Sequence, residues 1–542
     1  MRIPTCLFTA VLSVLFAAVS SGADVALRDV IDQEIRSVWQ HEELTPPGPA
    51  DDAAFLRRVY LDLIGIIPSY EETLAFLNDQ TKDKRARLID RLLAHPRFGV
   101  HQADVWDLVL FGRIPASNEA RTRDGFKRWL VQQFNDNVPY DQWARAILKA
   151  EGNTVDQGAP MYLVQYERNP EAATIAITQT FLGVQLQCAQ CHDHPFDHWK
   201  QTDFYGMAAF LVRLRAVSVG KKGRETKWVV AEHSSGEIMF TGPAADQEPG
   251  KKGKPIPPRF LDGSELVEPP LPKDFKEPRN FPSGKMPPKP RFSRKNKLAE
   301  WITARDNPYF AKAVANRIWG QFFGRGLVHP VDNLSQNNPS PFSGLLQKTA
   351  DALRKHNFDL KWYIRELCNT QTYQLACAGP VTEAKPRWFE RARVRPLSAE
   401  ELLESWRLAT GYDNVARRAG KKQPDGRFYG VTWGYMLRFF GQPDNGVGDF
   451  QGGLSEHLYL NNGELSQLIT RESGGLYDAI LKSTDPWSKR VERLFLSILN
   501  RYPTPAEQKK FVSFLTADDR QSDRLADAIW VLMTCSEFRF NH

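Results

Sequence analysis

Apolar residues recur every three to four positions through most of residues 25–212, the spacing of a helix with one buried face. VALRDVIDQEIRSVWQHE shows it and stops before Pro46 and Pro47, and DAAFLRRVYLDLIG ends at Gly65. KRARLIDRLLAHP puts Leu88, Ile89, Leu92 and Leu93 on one side and ends before Pro96. Further helices are predicted at 100–111, 121–135, 140–150, 170–187 and 203–212. Ser69 with Glu72, Ser398 with Glu401 and Thr504 with Glu507 have the spacing of capping boxes, which mark helix starts. From 213 the pattern shifts to β-branched, partly alternating runs, with Ser234-Ser235-Gly236 predicted to turn WVVAEH back on EIMFTG. Residues 243–292 are rich in Pro, Gly and Lys and predict an extended linker over the surface. Helical spacing returns at 293, gives way to a loop-rich stretch at 411–463, and resumes to the end. The pattern predicts a mainly α fold: helical domains at 24–212 and 293–542, joined by a small β insertion and Pro/Lys/Gly-rich linker at 213–292.

The first 23 residues do not belong to that fold. Arg2, the apolar run Cys6–Val19, and small residues Ser21 and Ala23 ahead of Asp24 form a signal-peptide pattern. The mature chain is therefore expected to be exported, periplasmic or extracellular. No other run reaches the roughly 20 apolar residues of a membrane span. A formal charge of +7 over 542 residues is mild, and the Lys and Arg residues lack the aromatic interleaving of a nucleic-acid groove. Export also matters for the cysteines, because an oxidising compartment favours pairing. Cys368 and Cys377 are near enough in sequence to pair, and Cys535 reads as a buried apolar residue.

Strong chemistry is concentrated in QCAQCHDHPFDHW at 187–199. Cys188, Cys191 and His192 form C-x-x-C-H, the attachment pattern of haem c. Two thiols three residues apart can each form a thioether to the porphyrin, and the next imidazole falls under the iron. Attachment of this kind takes place on the exported side of a bacterial membrane, in agreement with the leader. A sixth ligand is less evident: Met161, Met207, His101 and His194 are the candidates. Other readings use the same residues. Cys188, Cys191, His192, His194 and His198 offer enough nitrogen and sulfur for a zinc-type centre, which would suit a metal-dependent hydrolase. A Cys188–Cys191 disulfide is the third reading, and plain hydrogen-bonded histidines around the Pro195 turn the fourth.

FLGVQLQCAQCHDHPFDHWKQTDFYGMAAF, with RRVYLDLIGIIPSYEETLAFLND and RLIDRLLAHPRFG before it, resembles a planctomycete cytochrome-c-like family, the domain of unknown function 1549. LAEWITARDNPYFAKAVANRIWGQFFGRGLVHPVDNLSQNNPS, DLKWYIRELCNTQTYQLA and RPLSAEELLESWRLATG resemble its habitual partner, domain of unknown function 1553. The resemblance implies the domain order and places Cys188, Cys191, His192, Asp193 and His194 in the first family's motif. It leaves the activity, and whether the chain is an enzyme, open.

Two weaker constellations complete the reading. Asn316, Arg317, Trp319, Arg325, His329 and Asp332, with Asn337-Asn338, Asn461-Asn462, Trp433 and Tyr459, could line a polysaccharide cleft or simply satisfy loops. Asp107 with Arg113 could be an acid–base pair or a plain ion pair. The function expected is an exported c-type haem protein for electron transfer or haem-assisted oxidation, with an exported redox partner, serving extracellular polymer breakdown. The alternatives are a zinc-type hydrolase and a cell-surface scaffold or glycan-binding protein.

Overall fold

The computed structural model describes residues 25–112, 123–240, 253–342, 344–380, 383–411, 458, 460, 469 and 474–542. The leader at 1–23, Arg113, Trp433, Tyr459, Asn461 and Asn462 lie outside them. The fold is mainly α, about 52% helical, with small two-stranded sheets. The first region runs α1 (Leu27–His41), α2 (Asp52–Ile64), α3 (Tyr70–Asn78), α4 (Lys84–Leu93), α5 (Pro96–Phe111), α6 (Asp124–Asn135), α7 (Tyr140–Lys149), α8 (Met161–Val164), α9 (Pro170–Ile177) and α10 (Gln201–Ala208). Strands β1 (Leu214–Lys222), β2 (Glu225–Glu232), β3 (Ile238–Phe240) and β4 (Lys254–Ile256) follow. Then come α11 (Arg294–Ile302), α12 (Phe310–Phe323), α13 (Leu345–Lys355), α14 (Leu360–Cys368), β5 (Arg395–Pro396) and α15 (Ala399–Thr410). The chain closes with α16 (Leu476–Leu481), α17 (Trp487–Ile498), α18 (Pro505–Leu515), α19 (Gln521–Thr534), α20 (Ser536–Arg539) and β6 (Phe540–Asn541).

Local chemistry explains several helix ends. All three capping boxes form: Ser69, Ser398 and Thr504 each accept the N–H three residues on, while Glu72, Glu401 and Glu507 reach back. Leu88, Ile89, Leu92 and Leu93 are the buried face of α4, as their spacing requires. One expected helix is shorter. The run predicted at 170–187 is α only to Ile177, then widens into a π-helical turn at Thr178–Leu182 and stops at Gly183, φ +66°.

Strand pairing also departs from the pattern. WVVAEH does not turn back on EIMFTG; β2 pairs antiparallel with β1, Leu214 opposite Glu232, and β3 pairs with β4. Gly223, at φ +60°, turns β1 directly into β2 and takes that edge first. Beyond β2 the chain is drawn away by side chains. Glu232 accepts from Ser293 and from the Lys295 N–H, and Arg213 donates to the Gly236 carbonyl. The Pro-rich linker is anchored the same way. Glu268 binds the buried Arg213 and Arg294, while Glu277 accepts the Ser234 N–H.

One apolar core runs continuously from Leu27 to Phe389, passing the linker without a break. Its centre is aromatic, with Trp106, Trp143 and Tyr140 in mutual contact and Tyr140 stacked on Phe310 of α12. A second core gathers α15 to α20 and takes in Leu61 and Ile67 from the first region. Arg57, fully buried on α2, crosses between them, donating to Asn500 and to the Phe538 carbonyl. Cys368 and Cys377, which could have paired, are both free, and Cys535 is only partly buried. Among the described residues no helix is long and apolar enough to cross a membrane.

Candidate functional site

The Cys–His motif sits on a short connection between the π-turn and α10. Gly183 begins it because Leu334 presses against the backbone there: a Cβ would meet Leu334 Cδ1 at 2.8 Å. Val184 and Leu186 are buried, and Gln187–Gln190 forms one 3-10 turn with Ala189 inside. Cys188 lies within this turn and Cys191 caps its end, donating its N–H back to the Cys188 carbonyl at 3.3 Å. Cys188 is half-buried, Cys191 is exposed, and both are free thiols.

Hydrogen bonds then orient His192. Its Nδ1–H donates to the Asp193 carbonyl at 2.8 Å, which leaves the lone pair on Nε2 of an exposed ring. Asp193 in turn accepts the Gln201 N–H at 3.0 Å, at the start of α10. The Gln190 carbonyl takes bonds from Gln201 Nε2 and Tyr205 Oη, both at 3.3 Å. These bonds fix the motif to the first turns of α10. Two free thiols on one short turn, followed by an exposed imidazole whose Nε2 is uncommitted, are the donor types that covalent haem c requires.

The other histidines point elsewhere. His194 Nδ1 accepts the Phe196 N–H at 3.2 Å, and His198 Nδ1 lies 2.7 Å from Asp197 Oδ1. Burial works to raise the Asp197 carboxyl, but bonds from His198 and Ser335 hold it below its ordinary value. Among the described residues no three His, Cys, Asp or Glu side chains come together as a metal site. His192, His194 and His198 with the two cysteines thus do not form a ready tetrahedral set. Among the sixth-ligand candidates, Met207 is buried in the core, and His101 lies 3.9 Å from Glu401 at a different seam. Met161 is half-buried on α8 and His194 is tied within the motif loop.

A loop from the second half of the chain braces the motif. The Leu334 N–H donates to the Gly183 carbonyl at 2.8 Å, and Gln185 Nε2 donates to Asp332 at 3.1 Å. Asn337 Nδ2 donates to the Phe196 carbonyl at 2.7 Å, at the tip of the motif loop, where the Phe196 ring is 76% exposed. Asn316, fully buried on α12, holds the brace in shape. It accepts the Val328 N–H at 3.0 Å and donates to the Val328 and Val331 carbonyls at 2.7 and 3.1 Å. Asn316, Arg317 and Trp319 therefore close a loop and do not line a cleft; Arg317 reaches the Gln179 carbonyl and Trp319 stacks on Phe323. The bracing roles of Asp332, Ser335 and Asn337 were not apparent in the sequence. Asp332 and Asn337 registered there only as members of a polar constellation that could line a cleft or satisfy loops. Asp107 pairs with Arg123 and Lys127, at 3.5 and 3.4 Å.

Residues 30–216 match the family PSCyt2, described as Protein of unknown function (DUF1549). Residues 294–427 match PSD1, described as Protein of unknown function (DUF1553). No curated protein and no solved structure matches the chain. The two matched regions stand in the order the resemblance implied, DUF1549 followed by DUF1553; the first carries the Cys–His motif and the second supplies the loop that braces it.

Proposed function

We propose that the chain is an exported c-type haem protein, with Cys188 and Cys191 as the thioether anchors and His192 as the axial ligand. The observation that carries this reading is the orientation of His192. Its Nδ1–H is committed to the Asp193 carbonyl, so Nε2 is the uncommitted nitrogen of an exposed ring that follows two free thiols. Bound there, the haem would supply one-electron chemistry at its iron. The exposed motif suits exchange of electrons with a second exported protein, and the role we assign is electron transfer or haem-assisted oxidation. The leader-like residues 1–23 support export.

The test is expression with a cytochrome c maturation system, followed by denaturation and a pyridine haemochrome spectrum. Wild-type protein should retain about one haem per chain after denaturation. Cys188→Ala/Cys191→Ala should retain none while unfolding at the same temperature. A folded, colourless wild type would overturn the proposal. Stoichiometric zinc without iron by elemental analysis would replace it with the metal-site reading.

A further inference from the structure

The formal charge of the chain is mild only as an average. In the insertion and linker at 213–292, Lys and Arg outnumber Asp and Glu by 16 to 10, so 6 of the 7 net positive charges fall in 80 residues. The fold sharpens this imbalance by committing the acids to anchoring. Glu237 and Glu268 bind the buried Arg213 and Arg294, and Glu232 holds the start of α11. Glu277 accepts the Ser234 N–H and lies 3.3 Å from the buried His233. Lys221, Arg224, Arg279, Lys285 and Lys289 instead lie exposed, with no ion pair among the described residues.

Named contacts bring these bases onto one module. Glu277 meets Ser234 at the base of the β1–β2 hairpin, and Phe281 stacks on His233 at 4.4 Å while packing on the cluster of Val217 and Val229. The Gly284 N–H then donates to the Ser218 carbonyl of β1 at 2.7 Å, which carries Lys285 onto the outer half of the hairpin. The hairpin tip itself holds Lys221, Lys222 and Arg224. The linker returns to the base, where the Arg291 N–H donates to Ser234 Oγ at 3.1 Å and the Arg291 guanidinium lies over Phe275. Arg168, from the first region, donates to Asn280 at 3.0 Å, beside Arg279. The acid that meets the tip, Asp156, is shared by Lys222 and Lys227. β1 has 9 residues, about 30 Å at the rise of a strand, and bases stand toward both of its ends.

These features narrow the partner. Bases spread over this length suit a chain of repeating negative charge and not one small anion. Phe275 and Phe281 are taken up by Arg291 and His233, so neither is free to stack on a nucleic-acid base. Met286 is exposed beside Lys285 as a single apolar side chain, not the apolar face with which a protein enters a bilayer. We propose that the hairpin tip and linker form a docking surface for an acidic polysaccharide, one that carries carboxylate or sulfate groups along its length. The surface is separate from the Cys–His motif and independent of the haem reading.

The test is calorimetry on the purified chain with polygalacturonate and chondroitin sulfate as probes and dextran as the neutral control. Poly-L-glutamate and phosphatidylglycerol vesicles represent other classes of polyanion. At least one acidic polysaccharide should bind saturably at low salt, with Kd below about 100 μM. Raising the salt to about 0.2 M should weaken it about tenfold, because the charges are exposed. Lys221→Glu/Arg224→Glu and Lys285→Glu/Lys289→Glu should each weaken binding about tenfold or more at unchanged melting temperature. Lys509→Glu/Lys510→Glu, an equal change of net charge on the exposed face of α18, should weaken it less than about twofold. No saturable binding of either acidic polysaccharide, equal binding of dextran, binding of polyglutamate or vesicles alone, or an equal loss in the α18 variant would each overturn the proposal.

Discussion

Replacing Arg395 by Met should lower the stability of the folded chain by about 3–5 kcal/mol, the cost of stripping a buried ion cluster of its cation. Arg395 is the common partner of Asp62 and Glu401, and both carboxylates are nearly fully buried. Without it two negative charges share a seam of low dielectric. Asp62 would keep the Tyr373 hydroxyl and Asn541 amide, and Glu401 would keep only the Ser398 N–H and a neutral imidazole 3.9 Å away. Arg395→Met combined with Asp62→Asn and Glu401→Gln should recover part of the loss, because no unpaired charge is then left. Urea unfolding followed by tryptophan fluorescence measures both. The pH dependence has a definite sign. Burial acts to raise the Glu401 carboxyl, but Arg395 outweighs it and holds the group below its ordinary value. The stabilisation is therefore complete above the unfolded carboxyl pKa of about 4.3 and is lost as pH falls through the folded value. In Arg395→Met the same carboxyl takes up a proton readily. The deficit against wild type should then shrink between pH 7 and pH 4. A deficit that stays constant would assign Arg395 a packing role and refute the electrostatic account.

Glu401 also shows which features could be read from the sequence. Its capping role is local, three residues from Ser398, and follows from spacing alone. Its bond to Arg395, and Arg395's to Asp62 across 333 residues, depend on how two cores are laid together, and no local pattern encodes that. The same division runs through the candidate site. Cys188, Cys191 and His192 are contiguous and were legible. Asn337 meets Phe196 across 141 residues and had registered only as one of a polar pair. The hairpin failed for a related reason: β-propensity marked the strands, but partner choice was settled by Gly223 and by side-chain anchors to Arg213 and Glu232. The linker was recognised from its Pro content, which says nothing about where apolar packing stops; the core continues through to Phe389.

Asn316→Ala and Asn337→Ala should separate the stability of the brace from its hold on the motif. Asn316 satisfies the Val328 N–H and two carbonyls in a fully buried setting. Alanine leaves all three without partners, and at about 1–3 kcal/mol for a buried unsatisfied group the total loss should exceed about 3 kcal/mol. Asn337 makes its bond on an exposed loop, so its removal should cost under about 1 kcal/mol. What it removes is the tether on the Phe196 carbonyl, leaving the Ser335 bond to Asp197 and the His194 N–H to Trp199 carbonyl bond as the remaining anchors nearby. Local opening of residues 192–198 then becomes easier without global unfolding. Amide hydrogen exchange in that segment, and the rate at which Cys191 reacts with a thiol reagent, should each rise about threefold or more in Asn337→Ala at unchanged melting temperature. Asn316→Ala should show the same local changes together with a lower melting temperature, because the brace itself is loosened. Both readouts work on protein without haem, so they test the brace whatever occupies the motif. If exchange and thiol reactivity stay at wild-type levels in both variants, the loop at 332–337 is merely adjacent to the Cys–His motif and does not restrain it.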